Sequence, residues 1–428
     1  MIPVNTQYKS LGLRHILSDS KADAIIYDNT FREQTESALE VLDQCHIQLV
    51  NNADDESENA ININDDLSLF GGPFNPLKTD VSIVYYSAGT LGPPKGAVYS
   101  NERLLNNMDS VFDMMHPGKN DIIGISYPFY HYFAQICGIA SVLLSGSSMM
   151  IAKCIDYWQD YPEEIISRCR VLLDTPDCLS EFINREDAVL PPNLEYVMTG
   201  GQALEKSLPE EYLKRFKKPL FQAYGMVEAG PVLTINMNSQ KKNSIGVAVH
   251  DTTVSVMSEG KLLRQGTFGT LALPDSQLAG EYCGRFKQNE EDFQEGWFYG
   301  PDMGYRDIDG YLFFLDRKVN KIKIDGFDVF PELIETKLKS HEDIKEAVVI
   351  GINRGNDRNY IQAHLVIHRG RRIESKDIID WLTNKLPKYQ IPKEIIFEDH
   401  LPKNIAGKVS RQTLRKSAVS KTGTKLEE

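Results

Sequence analysis

No apolar run in this 428-residue chain approaches the ~20 residues that a membrane-spanning helix needs, and Met1-Ile2-Pro3 opens no basic, apolar leader. Both absences lead to the expectation of a cytoplasmic protein without a membrane span. The six cysteines (Cys45, Cys137, Cys154, Cys169, Cys178, Cys283) include no Cys-x-x-Cys pair and share no metal-ligand spacing with the nine histidines, so reduced thiols are the simplest expectation. Net positive charge is lacking too. The net charge is −13 and no long Lys/Arg run offsets it, which argues against a nucleic-acid surface. What remains is an ordinary globular composition, 41% hydrophobic and 25% charged, in a chain long enough for two or three domains and a large core.

Phosphate-binding character is concentrated in residues 86–96, YSAGTLGPPKG. Gly89, Gly92 and Gly96 let the backbone turn tightly enough to aim N–H groups at an anion, while Ser87, Thr90 and Lys95 add hydroxyls and a positive charge. The β-rich VSIVYY before the loop and AVYS after it predict a connection between two strands. A Walker-type loop needs a lysine followed by Ser or Thr and then a helix, whereas Lys95 is followed by Gly96. On spacing alone the segment is either a different nucleotide loop or a plain surface turn rich in Gly, Ser and Pro.

Four later stretches decide between them: TGGQAL (199–204), YGMVE (224–228), the long run GWFYGPDMGYRDIDGYLFFLDRKVNKIKIDGFDVFPELIE (296–335) and LPKNIAGKVSR (401–411). With the loop, they give a chain that resembles the acyl-adenylate-forming superfamily of acyl-CoA and aryl-CoA synthetases, luciferases and adenylation domains of peptide synthetases. The motifs follow the family's order over nearly the whole chain. The resemblance implies a multi-domain α/β fold, with a large N-terminal domain of layered α/β sheets (1–317), a small mobile α+β C-terminal domain (318–416) and a disordered polar tail (417–428). Residues 1–30 look like a family segment that normally lies well inside the chain, so the expectation is a shortened N-terminus lacking the family's first strands and helices. A compact variant that closes its sheet without them is the alternative. An exposed sheet edge would need a partner chain or a covering loop, which leaves a homo-oligomer open.

Along the chain, residues 31–44 have helical spacing and NNADDESENAININDD (51–66) reads as a solvated linker. After the loop, Asn101 is placed to cap a helix whose Leu104, Met108, Val111, Phe112 and Met115 form a core-facing stripe. Residues 128–152 read as a buried helix followed by a strand, and 163–190 as helix, strand and helix, the alternation of an α/β layer.

The family's functional residues carry over by motif. Joining a carboxylate to the α-phosphorus of ATP brings two anions together, so cations are needed at the phosphates. The resemblance places Ser87, Gly89, Thr90, Gly92 and Lys95 there, makes Glu228 the Mg²⁺ ligand, and sets Tyr224 and Gly225 beside the adenine. Gly200, Gly201 and Gln202 run along the nucleotide and the acyl pocket, and His131 lies near that pocket and the thiol route. Asp302 accepts hydrogen bonds from the ribose hydroxyls, a task suited to an acceptor-only carboxylate, and Arg317 also contacts the ribose. Lys408 bridges substrate carboxylate and α-phosphate, and the small domain then turns to present Lys323, Gly326 and Phe327 to the pantetheine arm.

The departures from the pattern fall on working positions. Ala88 replaces a serine, Leu91 a threonine, and Val227 the threonine before Glu228; Val319 stands at the hinge, and Asp328 stands where an arginine is common. Each lost hydroxyl removes up to roughly 1.5–3 kcal/mol of hydrogen bonding to a charged group. The expectation is an acid–thiol ligase that uses ATP and Mg²⁺ to convert a fatty or aryl carboxylic acid to acyl-AMP, with CoA as the preferred thiol. An acyl-AMP ligase that loads an acyl carrier protein, and a non-catalytic adenylate-fold scaffold, are the alternatives.

Overall fold

The computed structural model describes the whole chain except residues 23, 41, 43–46, 52–59, 62–80, 88–92, 153–160, 203, 205–206, 279–281, 284–291, 325, 353–358, 403–408 and 423–428. It is an α/β structure. The chain opens with helix α1 (Ser10–Ser20), strand β1 (Ala24–Asp28), helix α2 (Arg32–Leu39) and strands β2 (Ile47–Asn51) and β3 (Ala60–Ile61), and the three strands pair in parallel. Leu13 and Leu17 of α1 pack on Ala38 and Leu39 of α2, the outcome of apolar residues recurring at helical spacing.

Strands β4 (Val81–Tyr86) and β5 (Gly96–Ser100) form the antiparallel pair that the flanking β-rich runs predict, with Tyr86 opposite Gly96. Helix α3 (Asn101–Met115) follows at once. Its cap is Ser100, one residue earlier than the sequence reading placed it: the Ser100 hydroxyl accepts from the Arg103 N–H, and Asn101 is the first helical residue. Val111 and Met115 are buried, with Leu104 and Met108 packed against the same core.

Next come β6 (Ile122–Ile125), a π-helical stretch Ala134–Ala140 running into α4 (Ser141–Ser145), β7 (Ser148–Ile151), α5 (Glu163–Ile166), β8 (Cys169–Leu173) and α6 (Pro176–Asn184). They are followed by β9 (Tyr196–Gly200), α7 (Leu208–Phe216), β10 (Leu220–Met226), β11 (Gly230–Asn236) and β12 (Val247–Ala248). The strands form a seven-stranded sheet in the order β12-β11-β10-β9-β8-β6-β7, parallel from β10 to β7 and antiparallel at β11 and β12. All four residues of β6 are buried, because a central parallel strand has core on both faces. One core cluster, around Ile123, Ile125, Phe133 and Leu173, lies on one side; a second, around Leu172, Leu179, Phe182 and Tyr212, lies on the other. Residues that leave the C-terminal ends of β9 and β10 therefore emerge along one edge, the usual place for a ligand in an open parallel sheet.

A further sheet takes β13 (Ser255–Ser258), β14 (Lys261–Leu262), β15 (Gly269–Pro274), β16 (Phe293–Gln294) and β17 (Trp297–Arg306), in the order β14-β13-β15-β17-β16, with β18 (Leu312–Arg317) paired to β17. Beyond it lie the hairpin β19 (Ile322–Ile324) and β20 (Phe327–Val329), helix α8 (Pro331–Lys339), β21 (Ile344–Ile352), β22 (Tyr360–Ile367), α9 (Ser375–Thr383), β23 (Glu394–Phe397) and α10 (Arg411–Thr422). The β21-β22-β23 sheet buries Val349, Ala363 and Leu365 beneath α8 and α9, while Ile350, Val366 and Leu401 pack with Leu414 and Ala418 of α10. Helix α10 reaches Thr422, well into the stretch expected to be a tail.

By internal contacts the chain divides into two units: 1–254 with 272–299 and 310–312, and 255–271 with 300–309 and 313–428. Cys137, Cys169 and Cys283 are free thiols, but Cys178 is disulfide-bonded, which corrects the expectation of six reduced cysteines. No helix among the described residues is long and apolar enough to cross a membrane.

Candidate active site

The β4–β5 hairpin delivers the glycine-rich loop, and its neck is closed by two hydrogen bonds. The Ser87 N–H donates to the Lys95 carbonyl at 2.9 Å, and the Lys95 N–H donates to Ser87 Oγ at 3.0 Å. Ser87 and Lys95 are thus held face to face at the loop's base. The Lys95 ammonium lies 4.8 Å from the centre of the Tyr282 ring and 3.6 Å from Asp292 Oδ2. A half-buried lysine on an aromatic face and beside one carboxylate is a localised positive charge in an otherwise acidic protein. Gly89, Thr90 and Gly92, with Ala88 and Leu91, lie outside the described residues.

Glu228 sits in the turn between β10 and β11. The pairing of these strands shifts register between Tyr224 and Met226, and a Cβ added at Gly225 would lie 2.4 Å from the carbonyl oxygens of both Gly230 and Pro231. Only glycine fits there without moving backbone. Glu228 is 8% exposed, and its Oε1 accepts a 2.8 Å hydrogen bond from the Tyr282 hydroxyl. From β5, the Tyr99 hydroxyl donates to the Val227 carbonyl at 2.8 Å, which holds the same turn from its backbone. Burial and the nearby Glu228 and Tyr132 push the Tyr99 phenol well above its ordinary range, so it stays a donor. Val227, at the position of a family threonine, packs into the Tyr85, Tyr99 and Tyr132 cluster.

One buried carboxylate, oriented by a phenol, fits Mg²⁺, which is held through one or two carboxylates together with substrate phosphates. Among the described residues no group of three or more His, Cys, Asp or Glu side chains forms a protein-only metal cage. Tyr282, absent from the sequence-derived candidates, is therefore the residue that joins the loop lysine to the carboxylate. Its only sequence signal is that it is one of two aromatics in the polar run GEYCGRFKQNEE (280–291).

The third group comes from the end of β9. The Tyr127 hydroxyl meets both the N–H and the carbonyl of Gly200 at 3.0 Å, which fixes the turn. Gly201 follows with φ +77°, and a Cβ there would come 3.6 Å from His131 Cε1, so the His131 ring lies against this turn. His131 accepts from the Phe133 N–H through Nδ1 at 3.2 Å and packs beside Tyr127 and Tyr132. Gln202 is exposed, and Tyr224 lies on β10 opposite Thr234.

The second unit holds the ribose-type candidates. Asp302, 6% exposed on β17, faces Arg317 Nε at 3.4 Å. The neighbouring Asp316, also missed from sequence, is 3% exposed and accepts from the Arg317 N–H at 2.7 Å, Asn320 Nδ2 at 2.9 Å and the Glu332 N–H at 3.1 Å. It ties the turn at 318–320 to the N-terminus of α8, where a carboxylate is favoured by the helix dipole. Val319 in that turn is exposed. On the β19–β20 hairpin, Lys323 is exposed, Gly326 turns with φ +84°, Phe327 stacks on Tyr389, and Asp328 pairs with Lys321 at 3.0 Å. Lys408 lies outside the described residues.

Two family models match the chain: AMP-binding enzyme over residues 1–283 and AMP-binding enzyme C-terminal domain over residues 333–408. A long-chain-fatty-acid–CoA ligase of Salmonella typhimurium is 25% identical, the alignment covering 99% of this chain and 82% of the relative. A 2-succinylbenzoate–CoA ligase of a Geobacillus species is 26% identical over 96% of this chain and 81% of its own. Among solved structures, ATP-bound MatB from Rhodopseudomonas palustris superposes with a TM-score of 0.83 at 22% identity, covering 97% of this chain and 83% of that one. Since the first model alone matches residues 1–283 of 428, in a fold shared with such structures, the chain belongs to the AMP-binding enzyme family.

Proposed function

We propose that this chain is an acid–thiol ligase that activates a fatty or aryl carboxylic acid with ATP and passes the acyl group to CoA. The observation that carries the reading is the Lys95–Tyr282–Glu228 arrangement, a cation and a buried carboxylate held by one tyrosine at the base of the glycine-rich loop. The relatives named above support it, one acting on long-chain fatty acids and one on 2-succinylbenzoate.

In the first half-reaction a carboxylate oxygen attacks the α-phosphorus and pyrophosphate leaves. Lys95 exchanges Asp292 for phosphate oxygens, and Glu228 presents its carboxylate to Mg²⁺, which supplies further neutralising charge when bound. Ser87 and the loop N–H groups bind phosphate oxygens, and Tyr224 and Gly225 flank the adenine. Asp302 and Arg317 hold the ribose, while His131 and the Gly200–Gly201 turn wall the acyl pocket. Lys408 orients the substrate carboxylate on the α-phosphate. In the second half-reaction the thiol sulfur attacks the acyl carbon and AMP leaves, with Lys323 and Gly326 along the thiol arm. The apolar residues of 129–144 favour an aliphatic or aryl acid.

The test is acid-dependent pyrophosphate release from ATP and Mg²⁺ by the purified chain and its Lys408→Ala variant. Release with fatty or aryl acids should fall at least a hundredfold in the variant, while thiol transfer from preformed acyl-AMP is kept. Equal loss in both half-reactions refutes the role given to Lys408. Absence of release from folded protein refutes the ligase and leaves the scaffold reading; transfer only to an added acyl carrier protein refutes CoA as the thiol.

A further inference from the structure

The proposed reading leaves open how the loop lysine and the metal-holding carboxylate, 133 positions apart in sequence, come to act on one triphosphate. Tyr282 is pinned to the strand that carries Lys95 on its leading edge: residue 282 bridges Ala97 of β5, and the Cys283 N–H donates to the Gly96 carbonyl at 2.8 Å. Its side chain is 3% exposed and braced edge-on by Phe293, with ring centres 5.9 Å apart. With backbone and ring both fixed, the phenol has one direction left, and it donates to Glu228 Oε1 at 2.8 Å. The ring face carries the Lys95 ammonium at 4.8 Å. A carboxylate accepts at about four lone-pair positions, so one phenol donor orients it without exhausting it.

We propose, resting on the acid-activating reading, that Tyr282 is a positioning residue that aims the Glu228 carboxylate at the ATP-bound metal and couples it to Lys95. Partners of this kind, which hold a metal ligand without touching the metal, typically change metal affinity 10–100-fold when removed. Tyr99 does a different job, since its hydroxyl donates to the Val227 carbonyl and holds the backbone of the turn.

The experiment is titration calorimetry of ATP into the full chain, with Mg²⁺ and with a chelator, for wild type, Tyr282→Phe, Glu228→Gln and the double variant. Phenylalanine keeps the buried ring and the seat of Lys95, and its thermal midpoint checks that the variant folds. The expected result is a roughly tenfold smaller Mg²⁺-dependent gain in ATP affinity for Tyr282→Phe, with metal-free affinity unchanged within about threefold. In the Glu228→Gln background the same substitution should change nothing further. An undiminished gain in Tyr282→Phe, or an equal effect in both backgrounds, overturns the coupling while the ligase reading stands. Wild-type protein that binds no ATP overturns both.

Discussion

The buried pair Glu335–Arg411 allows a prediction in which two opposing effects can be separated. Glu335, on α8, is 2% exposed; its Oε1 accepts from the Val349 N–H at 2.7 Å and from Arg411 Nη2 at 2.7 Å, and its Oε2 accepts from Arg411 Nη2 at 2.9 Å. Arg411 opens α10 directly after Ser410, whose N–H closes onto the Pro402 carbonyl at 2.8 Å, so the pair anchors the base of the segment that contains Lys408. Removing one partner leaves a desolvated charge behind, and Glu335→Ala should cost about 3–5 kcal/mol. Removing only the negative charge is different. Burial pushes the Glu335 carboxyl up to about 7 against the opposing pull of Arg411, so desolvation outweighs the ion-pair attraction. Glu335→Gln keeps the acceptor at Oε1, gives up the bond at Oε2, and should stay within about 1.5 kcal/mol of wild type at pH 8.

The sign with pH follows from the same shift. A carboxyl whose folded value is raised from 4.5 to about 7 gives stability fully present below pH 4.5 and lost as pH rises through about 7. Glutamine cannot titrate, so wild type should lose stability relative to Glu335→Gln between pH 5 and pH 8. The assay is hydrogen exchange of the β21 and β22 amides, corrected for intrinsic rates, since these strands report opening of this unit. A 4 kcal/mol loss is about a thousandfold in protection. Glu335→Gln as damaging as Glu335→Ala, or a pH response of the opposite sign, would refute the argument that desolvation dominates.

Two further outcomes test the nucleotide site. Gly225→Ala should reduce ATP affinity at least tenfold in protein whose thermal midpoint shows that it still folds, because two carbonyl oxygens 2.4 Å from the new Cβ force the Tyr224–Glu228 turn to move; calorimetry with unchanged affinity counts against that turn as the adenine wall. Asp302→Asn should weaken ATP by about tenfold and 2′-deoxy-ATP by less, since an amide no longer accepts from both ribose hydroxyls. Equal losses for the two nucleotides would remove Asp302 from the ribose.

The glycine-rich loop was legible because its signals are local: two β-rich runs bracket it, whereas the register that sets Tyr86 opposite Gly96 came from the structure. The parallel layer was legible for the same reason, from strands and helices alternating between 122 and 226. Cap and end positions were less so. Ser100 and Asn101 are both good capping residues, and the choice falls to the one whose hydroxyl reaches the Arg103 N–H.

By itself, the sequence determined the family, the order of the motifs and the identity of Lys95, Glu228, Asp302 and Arg317 as candidates, because each stands in a contiguous pattern of residue types. Only tertiary structure decided that Tyr282 orients Glu228 across 54 positions of sequence, and that Glu335 meets Arg411 across 76. Such pairs leave no periodicity. Tyr282 reads as one of two aromatics in a polar run and Glu335 as an ordinary helix charge, until burial deprives each of water and makes its partner obligatory.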